Sequence, residues 1–304
     1  MQEIKNILIC GLGAVGSIYA DKIQSINDFE LRILVDKDRF ERYKNNPLIF
    51  NGKILDLNYI LPEDKFFKAD LIIISTKYNG LDSAIRNIEN FVYDDTIIIS
   101  LLNGITSEKI IASKYGYEKI LYSYFIGHSA VRKDRTVTQD GVNTIVFGSP
   151  DNNKNIIKVK SFFDKAGINY NIPDDIIYSM WLKFMLNVSS NQLSAVLRYT
   201  FGEMYNNEKC MNFIKSVMEE VKSIAKAEGV RNPDNMTDDA IAALKTMAPE
   251  GKTSMLQDIE SNRHTEVDMF AGVVIELGKK HGIQTPYNVV LKNLIEIIHN
   301  EKNI

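Results

Sequence analysis

Ile7-Leu8-Ile9-Cys10 runs without a break into Gly11-Leu12-Gly13-Ala14-Val15-Gly16, and a helical stretch follows to about Ser25. A short apolar run ending in glycine suits a strand buried on both faces of a parallel sheet. Glycines at this spacing answer three steric demands. The first makes the strand-to-helix turn, the second lets a ligand approach the backbone, and the third lets helix and strand pack closely. The helix N-terminus then offers free N–H groups and a partial positive charge to an anion. The expectation is a dinucleotide pyrophosphate seated on Gly11, Leu12, Gly13, Ala14, Val15 and Gly16.

The rest of the first half agrees with that start. Leu31 to Val35, Leu71 to Ser75 and Thr96 to Ser100 read as further strands, and Leu81 to Phe91 as a helix with Leu81, Ala84, Ile85 and Ile88 on one stripe. Strands alternating with helices predict an α/β fold with an N-terminal Rossmann-type doubly wound sheet. Tyr122 to Phe147 is richer in β-branched and aromatic residues, and Ser161 to Gly167 closes with a helix and turn. After Pro173 helical periodicity takes over, at 174–199, 208–229, 238–247 and 265–282. The reading is a dinucleotide-binding domain over 1–172 and an all-helical substrate and catalytic domain over 173–304.

Length and charge narrow the partners. A chain of 304 residues suits two domains, and a net charge of -3 gives no global pull toward nucleic acid or an anionic membrane. An anionic ligand must therefore be held by local features. Cys10 and Cys210 are 200 positions apart and have no metal-like spacing, so two buried thiols in a reducing cytosol are expected, and no metal site. The first residues lack a long apolar core and a small-residue cleavage site, so a cytoplasmic protein is expected. The apolar helices of the second domain could pair two copies, and the sequence does not choose between a monomer and a homodimer.

Asp36 closes the second strand, 20 positions after Gly16. An acid there can accept hydrogen bonds from ribose hydroxyls and repel a 2′-phosphate, which favours NAD. Lys37 and Arg39 follow at once and could pair with such a phosphate; the alternative for all three is a solvated loop. In the second domain, Lys183, Asn187 and Asn191 are spaced i, i+4, i+8, on one helix face drifting about 40° per step. Trp181, Phe184, Met185, Leu186 and Val188 surround them, and amides among such neighbours need polar partners. The face reads as a strip lining a cleft, with an ammonium to polarise a carbonyl and two amides to read hydroxyls or a carboxylate. The alternative is a solvent-exposed stripe. A second polar run extends from Ser254 to Glu266; its plainer reading is a solvated face, with His264 a structural or surface histidine.

Taken together, these landmarks resemble the ketopantoate reductase family, along the whole chain. They are the glycine turn, Ser75-Thr76-Lys77, Asn103-Gly104, Trp181-x-Lys183 with Asn187 and Asn191, and Ser254-Met255-Leu256-Gln257-Asp258 followed by Arg263-x-Thr265-Glu266. The resemblance implies NADPH-dependent reduction of the small 2-oxo acid 2-dehydropantoate to (R)-pantoate, in pantothenate and coenzyme A biosynthesis. It implies Lys183 as general acid and Glu266 as the carboxylate that binds the substrate hydroxyl and orients the lysine. Asn103, Asn187, Asn191 and Ser254 become substrate-positioning groups. Lys77 falls at the cofactor–substrate junction, and Asn103 and Glu266 also fall beside the cofactor. One departure stands out: Asp36 occupies the place where the family usually carries an arginine. NADP therefore comes first from the resemblance, and NAD stays open because of Asp36. A reductase of another 2-oxo acid and a non-catalytic dinucleotide sensor are the alternative functions.

Overall fold

A computed structural model describes residues 3–127, 130–151 and 153–301. The chain divides into two compact units, Met1–Ile176 and Ile177–Ile304. The division falls after Ile176, where the sequence reading put it after residue 172.

The first unit is built around β1 (Asn6–Cys10), buried from Ile7 onward. Ile7 and Ile9 join one core with Ile33, Ile73 and Ile99, while Leu8 and Cys10 join another with Leu34, Ile72, Ile74 and Ile98. A strand covered on both faces has no polar side, hence the unbroken aliphatic run. α1 (Ala14–Gln24), β2 (Glu30–Leu34) and α2 (Lys37–Asn45) follow, then three two-residue strands, β3 (Ile49–Phe50), β4 (Lys53–Ile54) and β5 (Tyr59–Ile60). The alternation resumes with β6 (Leu71–Ile74), α3 (Leu81–Asn87), β7 (Ile97–Ser100) and α4 (Ser107–Tyr115). β8 (Ile120–Gly127), β9 (Ala130–Lys133), β10 (Thr136–Gln139), β11 (Asn143–Gly148), α5 (Asn155–Ala166) and β12 (Tyr170–Asn171) complete the unit.

The large sheet has the order β12-β11-β8-β7-β6-β1-β2-β5. Its strands from β5 to β8 run parallel, and β11 is antiparallel to β8. From β1 the chain goes to β2 on one side and later to β6 on the other, so the order switches beside β1. In open α/β sheets such a point, at the carboxyl ends of the strands, is where ligands bind. The loops after β1, β2, β6 and β7 all open on that edge. A second sheet, β4-β3-β10-β9, was not foreseen as a separate layer. It packs on α1 and depends on the parallel pairing of Ile49 with Thr136 and of Phe50 with Val137. Two-residue pairings so far apart in the chain leave no periodic signal to read.

Among its described residues the second unit is entirely helical. α6 (Ile176–Leu186) passes into a π turn (Asn187–Asn191) and then α7 (Gln192–Leu197). α8 (Phe201–Tyr205), α9 (Glu208–Ala227), α10 (Met236–Lys245) and α11 (Ser254–Glu260) come next. A second π turn (Asp268–Gly272) leads into α12 (Val273–His281), and α13 (Pro286–Glu301) ends the described chain. α9 supplies the central stripe: Ile214, Val217, Met218, Val221, Ile224 and Ala225 are all fully buried. No helix among the described residues is long and apolar enough to cross a membrane.

Candidate functional site

Each glycine of the β1–α1 turn does something different. Gly11 has φ +105°, and a Cβ there would meet the Ser75–Thr76 peptide at 2.7 Å. A Cβ on Gly16 would fall 2.0 Å from the Gly11 carbonyl oxygen and 2.6 Å from Ser75 Oγ. At Gly13 the nearest such atom is the Ser75 carbonyl oxygen, 4.0 Å away. Gly11 and Gly16 are therefore required by packing, whereas Gly13 leaves open space against bare backbone.

The carbonyls of this turn are all engaged by the protein. Ser75 Oγ donates to Gly11 O at 2.6 Å, and Arg132 Nη1 donates to Leu12 O at 2.5 Å. Ser17, itself fully buried, donates to Gly13 O through its backbone N at 3.1 Å and its Oγ at 2.7 Å. A planar trans peptide points its N–H away from its carbonyl, so carbonyls fixed inward leave N–H groups facing outward. Gly13 is the N-cap of α1 and caps it with no side chain, leaving the first helical N–H groups without that partner; Ala14 and Val15 open the helix. This donor set fits a dinucleotide pyrophosphate.

Asp36 is not in a solvated loop. It is the N-cap of α2: its Oδ1 accepts from Arg39 N at 2.8 Å, and its Oδ2 lies 3.2 Å from the Arg39 guanidinium. Lys37 is the first residue of α2 and is exposed. Lys77, also exposed, is the N-cap of a short 3-10 turn (Tyr78–Gly80) after β6. Asn103 is half-buried in the loop after β7, between Ser100 and Ser107, whose Oγ atoms meet at 2.8 Å while Ser123 Oγ donates to Ser100 O at 2.8 Å. The glycine turn, Asp36, Lys77 and Asn103 thus share one edge of the sheet.

In the second unit, Lys183 is half-buried on α6 between Trp181 and Phe184, whose rings meet edge to face at 5.7 Å. The π turn begins four residues on and changes the expected geometry. Four residues overshoot an α turn by about 40°, but they fall short of the wider π turn. The second step of the Lys183–Asn187–Asn191 series therefore spans the wider turn and does not repeat the overshoot of the first. Side-chain donors hold the carbonyls along this segment: Ser189 Oγ to Met185 O at 2.8 Å, Ser190 Oγ to Leu186 O at 2.6 Å, and Gln192 Nε2 to Val188 O at 2.6 Å.

The π turn also brings predicted residues together. Asn191 Nδ2 donates at 3.4 Å to Asn187 Oδ1 and at 3.4 Å to Ser254 Oγ. Ser254 is the first residue of α11, whose N-cap Thr253 accepts from Leu256 N at 3.2 Å and bonds Ser194 Oγ of α7 at 3.0 Å. The polar run from Ser254 is therefore not simply a solvated face, because Met255, Leu256 and Ile259 are buried on its inner side. Glu266, half-buried, lies just before the second π turn, and its carbonyl accepts from Met269 N at 3.0 Å and Phe270 N at 3.2 Å. The two π turns pack together, and Phe184 meets Phe270 at 6.5 Å. His264 is exposed and stacks on His299 at 5.7 Å.

Both halves of the chain match models of a single family, Ketopantoate reductase PanE/ApbA over residues 7–152 and its C terminal counterpart over 175–299. The chain belongs to the ketopantoate reductase family. Its relatives include the 2-dehydropantoate 2-reductase of Streptococcus pyogenes serotype M6, 25% identical over 304 residues and 98% of each chain. That of Pyrococcus horikoshii is 27% identical over 295 residues, covering 95% of this chain and 96% of the relative. Among solved structures, D-mandelate dehydrogenase with NADH and anilino(oxo)acetate shares the fold at TM-score 0.86 and 24% identity, over 98% of this chain and 100% of that one. A ketopantoate reductase of the same family from Ralstonia eutropha JMP134 does so at TM-score 0.83 and 22% identity, over 98% and 100%.

Two anchors of the turn in this ketopantoate reductase family member escaped the sequence reading, Ser17 and Arg132. Ser17 was readable in principle, since a hydroxyl four residues into a helix can bond the carbonyl one turn back. Arg132 carries no local signal at all.

Proposed function

We propose that this chain reduces 2-dehydropantoate to (R)-pantoate with a nicotinamide dinucleotide, a step toward pantothenate and coenzyme A. The observation that carries the reading is the meeting of Asn187, Asn191 and Ser254 just beyond the helix that bears Lys183, in a member of this family with an open Gly13 turn. The dinucleotide, when bound, supplies hydride from nicotinamide C4. Lys183 serves as general acid: its ammonium donates a proton to the oxo oxygen and offsets the negative charge that develops there. Glu266 accepts a hydrogen bond from the substrate hydroxyl and orients the lysine. Asn103, Asn187, Asn191 and Ser254 fix the carboxylate and hydroxyl so that the reacting carbon is aligned. Gly11 to Gly16 carry the pyrophosphate, and Lys77 stands at the junction of cofactor and substrate.

NADPH is the first cofactor and NADH the second. Asp36 can accept from ribose hydroxyls, while Arg39, held 3.2 Å from it, and Lys37 offer cations to a 2′-phosphate. Steady-state oxidation of NADPH and NADH, side by side with ketopantoate, tests substrate and cofactor together. Saturable turnover with either supports the reading. Turnover with a different 2-oxo acid and none with ketopantoate moves the substrate, and binding without oxidation of either cofactor by any oxo acid marks a sensor.

A further inference from the structure

Arg132 lies on β9 of the small sheet, 120 residues along the chain from Leu12. Its guanidinium engages three separate pieces of the first unit. Nη1 donates to Leu12 O at 2.5 Å, Nη2 to Tyr43 Oη at 3.3 Å on α2, and Nε to Asp134 O at 3.0 Å in its own hairpin. The guanidinium carbon also stands 5.8 Å from the centre of the Tyr43 ring. Three of the five N–H donors of an arginine are thus committed, and the fork is held from both sides.

The Leu12–Gly13 peptide is the one in the turn that most needs an outside lock. Gly13 has no Cβ, so rotation about this peptide meets little steric resistance. The neighbouring carbonyls are held by neutral serine donors, but Leu12 O is held by a cation, and charge-assisted hydrogen bonds are roughly twice as strong as neutral ones. A cation at the carbonyl end also polarises the peptide, making the N–H at its other end a better donor.

We propose that Arg132 is a dinucleotide-positioning residue, which locks the Leu12–Gly13 peptide with its Gly13 N–H presented to the pyrophosphate. The proposal rests on the glycine turn being the dinucleotide site. It assigns to the small sheet a binding task in addition to covering α1. The pyrophosphate is common to NADPH, NADH and ADP-ribose, so Arg132 must act on all three alike, unlike a residue that senses the 2′-phosphate.

Calorimetric titration of the full chain with NADPH, NADH and ADP-ribose tests this without any turnover. Arg132→Met is expected to lose at least tenfold in affinity for each ligand, with the NADPH-to-NADH ratio unchanged within twofold. Arg132→Lys, which keeps the charge on a single donor nitrogen, should recover part of that loss and provides the measurement if the methionine variant does not fold. Affinities within twofold of the parent in both variants, or a loss confined to one dinucleotide, overturn the assignment of Arg132 while leaving the turn as the site. A parent chain that binds none of the three overturns the reading of the turn itself, and Arg132's role with it.

Discussion

Asn288 binds Glu220 twice, through its backbone N–H at 3.1 Å and its side-chain Nδ2 at 2.7 Å, both to Oε2. Tyr287 N donates to the other carboxylate oxygen at 2.8 Å, so a residue of α9 caps the first turn of α13 from outside. Asn288 Oδ1 in turn accepts from Gln192 Nε2 at 3.3 Å, and Gln192 holds a carbonyl of the first π turn. Glu220→Ala leaves buried donors without a partner and is expected to cost about 3 kcal/mol in urea unfolding. Glu220→Gln, which keeps an acceptor, should cost roughly a third of that. Equal stability of the alanine variant and the parent contradicts the cap.

The glycines of the turn should separate folding from binding. Gly16→Ala drives a Cβ to 2.0 Å from the Gly11 carbonyl oxygen, and the backbone must move. A loss of at least about 3 kcal/mol in stability is expected. Gly13→Ala meets nothing closer than 4.0 Å and should leave unliganded stability within about 1 kcal/mol of the parent, while NADPH affinity falls more than tenfold. Parallel melting and titration curves check both, and a Gly13→Ala chain with parent affinity contradicts the assignment of its open side to the ligand.

Lys183→Ala is expected to lower kcat by about 10²–10⁴, and Glu266→Ala to remove most turnover as well. Dinucleotide binding should survive in both, with affinity within twofold of the parent for Lys183→Ala. Near-normal rates in both variants remove these residues from the chemistry.

Asp36→Ala removes the α2 cap and should cost about 1 kcal/mol. It also frees the Arg39 side chain and takes away an acceptor for ribose hydroxyls, so the preference for NADPH over NADH should rise several-fold in titration. An unchanged ratio shows that this corner does not set cofactor choice.

Burial pushes the Cys10 thiol up to about 12, and burial raises Cys210 as well. A protonated buried thiol is a poor nucleophile. Neither cysteine should react with an aromatic disulfide reagent at pH 8 until the chain unfolds. Because the folded value of Cys10 is raised, its contribution to stability is complete below the ordinary thiol range and is lost as pH rises toward 12. Rapid labelling of a thiol in the native chain contradicts this.

What the sequence revealed and what it hid differ in kind. β1 and the glycine turn were legible because their demands are steric and local. The Lys183–Asn187–Asn191 face was legible as spacing, but the π turn under it was not, since it differs from an α turn only in which N–H meets which carbonyl. α2 was missed because Tyr43 is its single buried residue, leaving no apolar stripe. α13 was missed for the opposite reason. It exposes Val289, Val290, Leu294 and Ile297 while burying Asn288, which blurs the inside–outside contrast that periodicity relies on. Arg132 and the small sheet lie beyond any local pattern.

The bond from Arg132 to Leu12 also sets an order of events during synthesis. The glycine turn is translated before its anchoring guanidinium, which is encoded 120 positions later. At roughly 5–20 residues per second that interval is about 6–24 s. Throughout it the nascent chain has its glycine turn but not the brace behind it, so full dinucleotide affinity waits for the β9–β10 hairpin. A chain stalled before residue 132 should bind dinucleotide more weakly than one released beyond the β9–β10 hairpin.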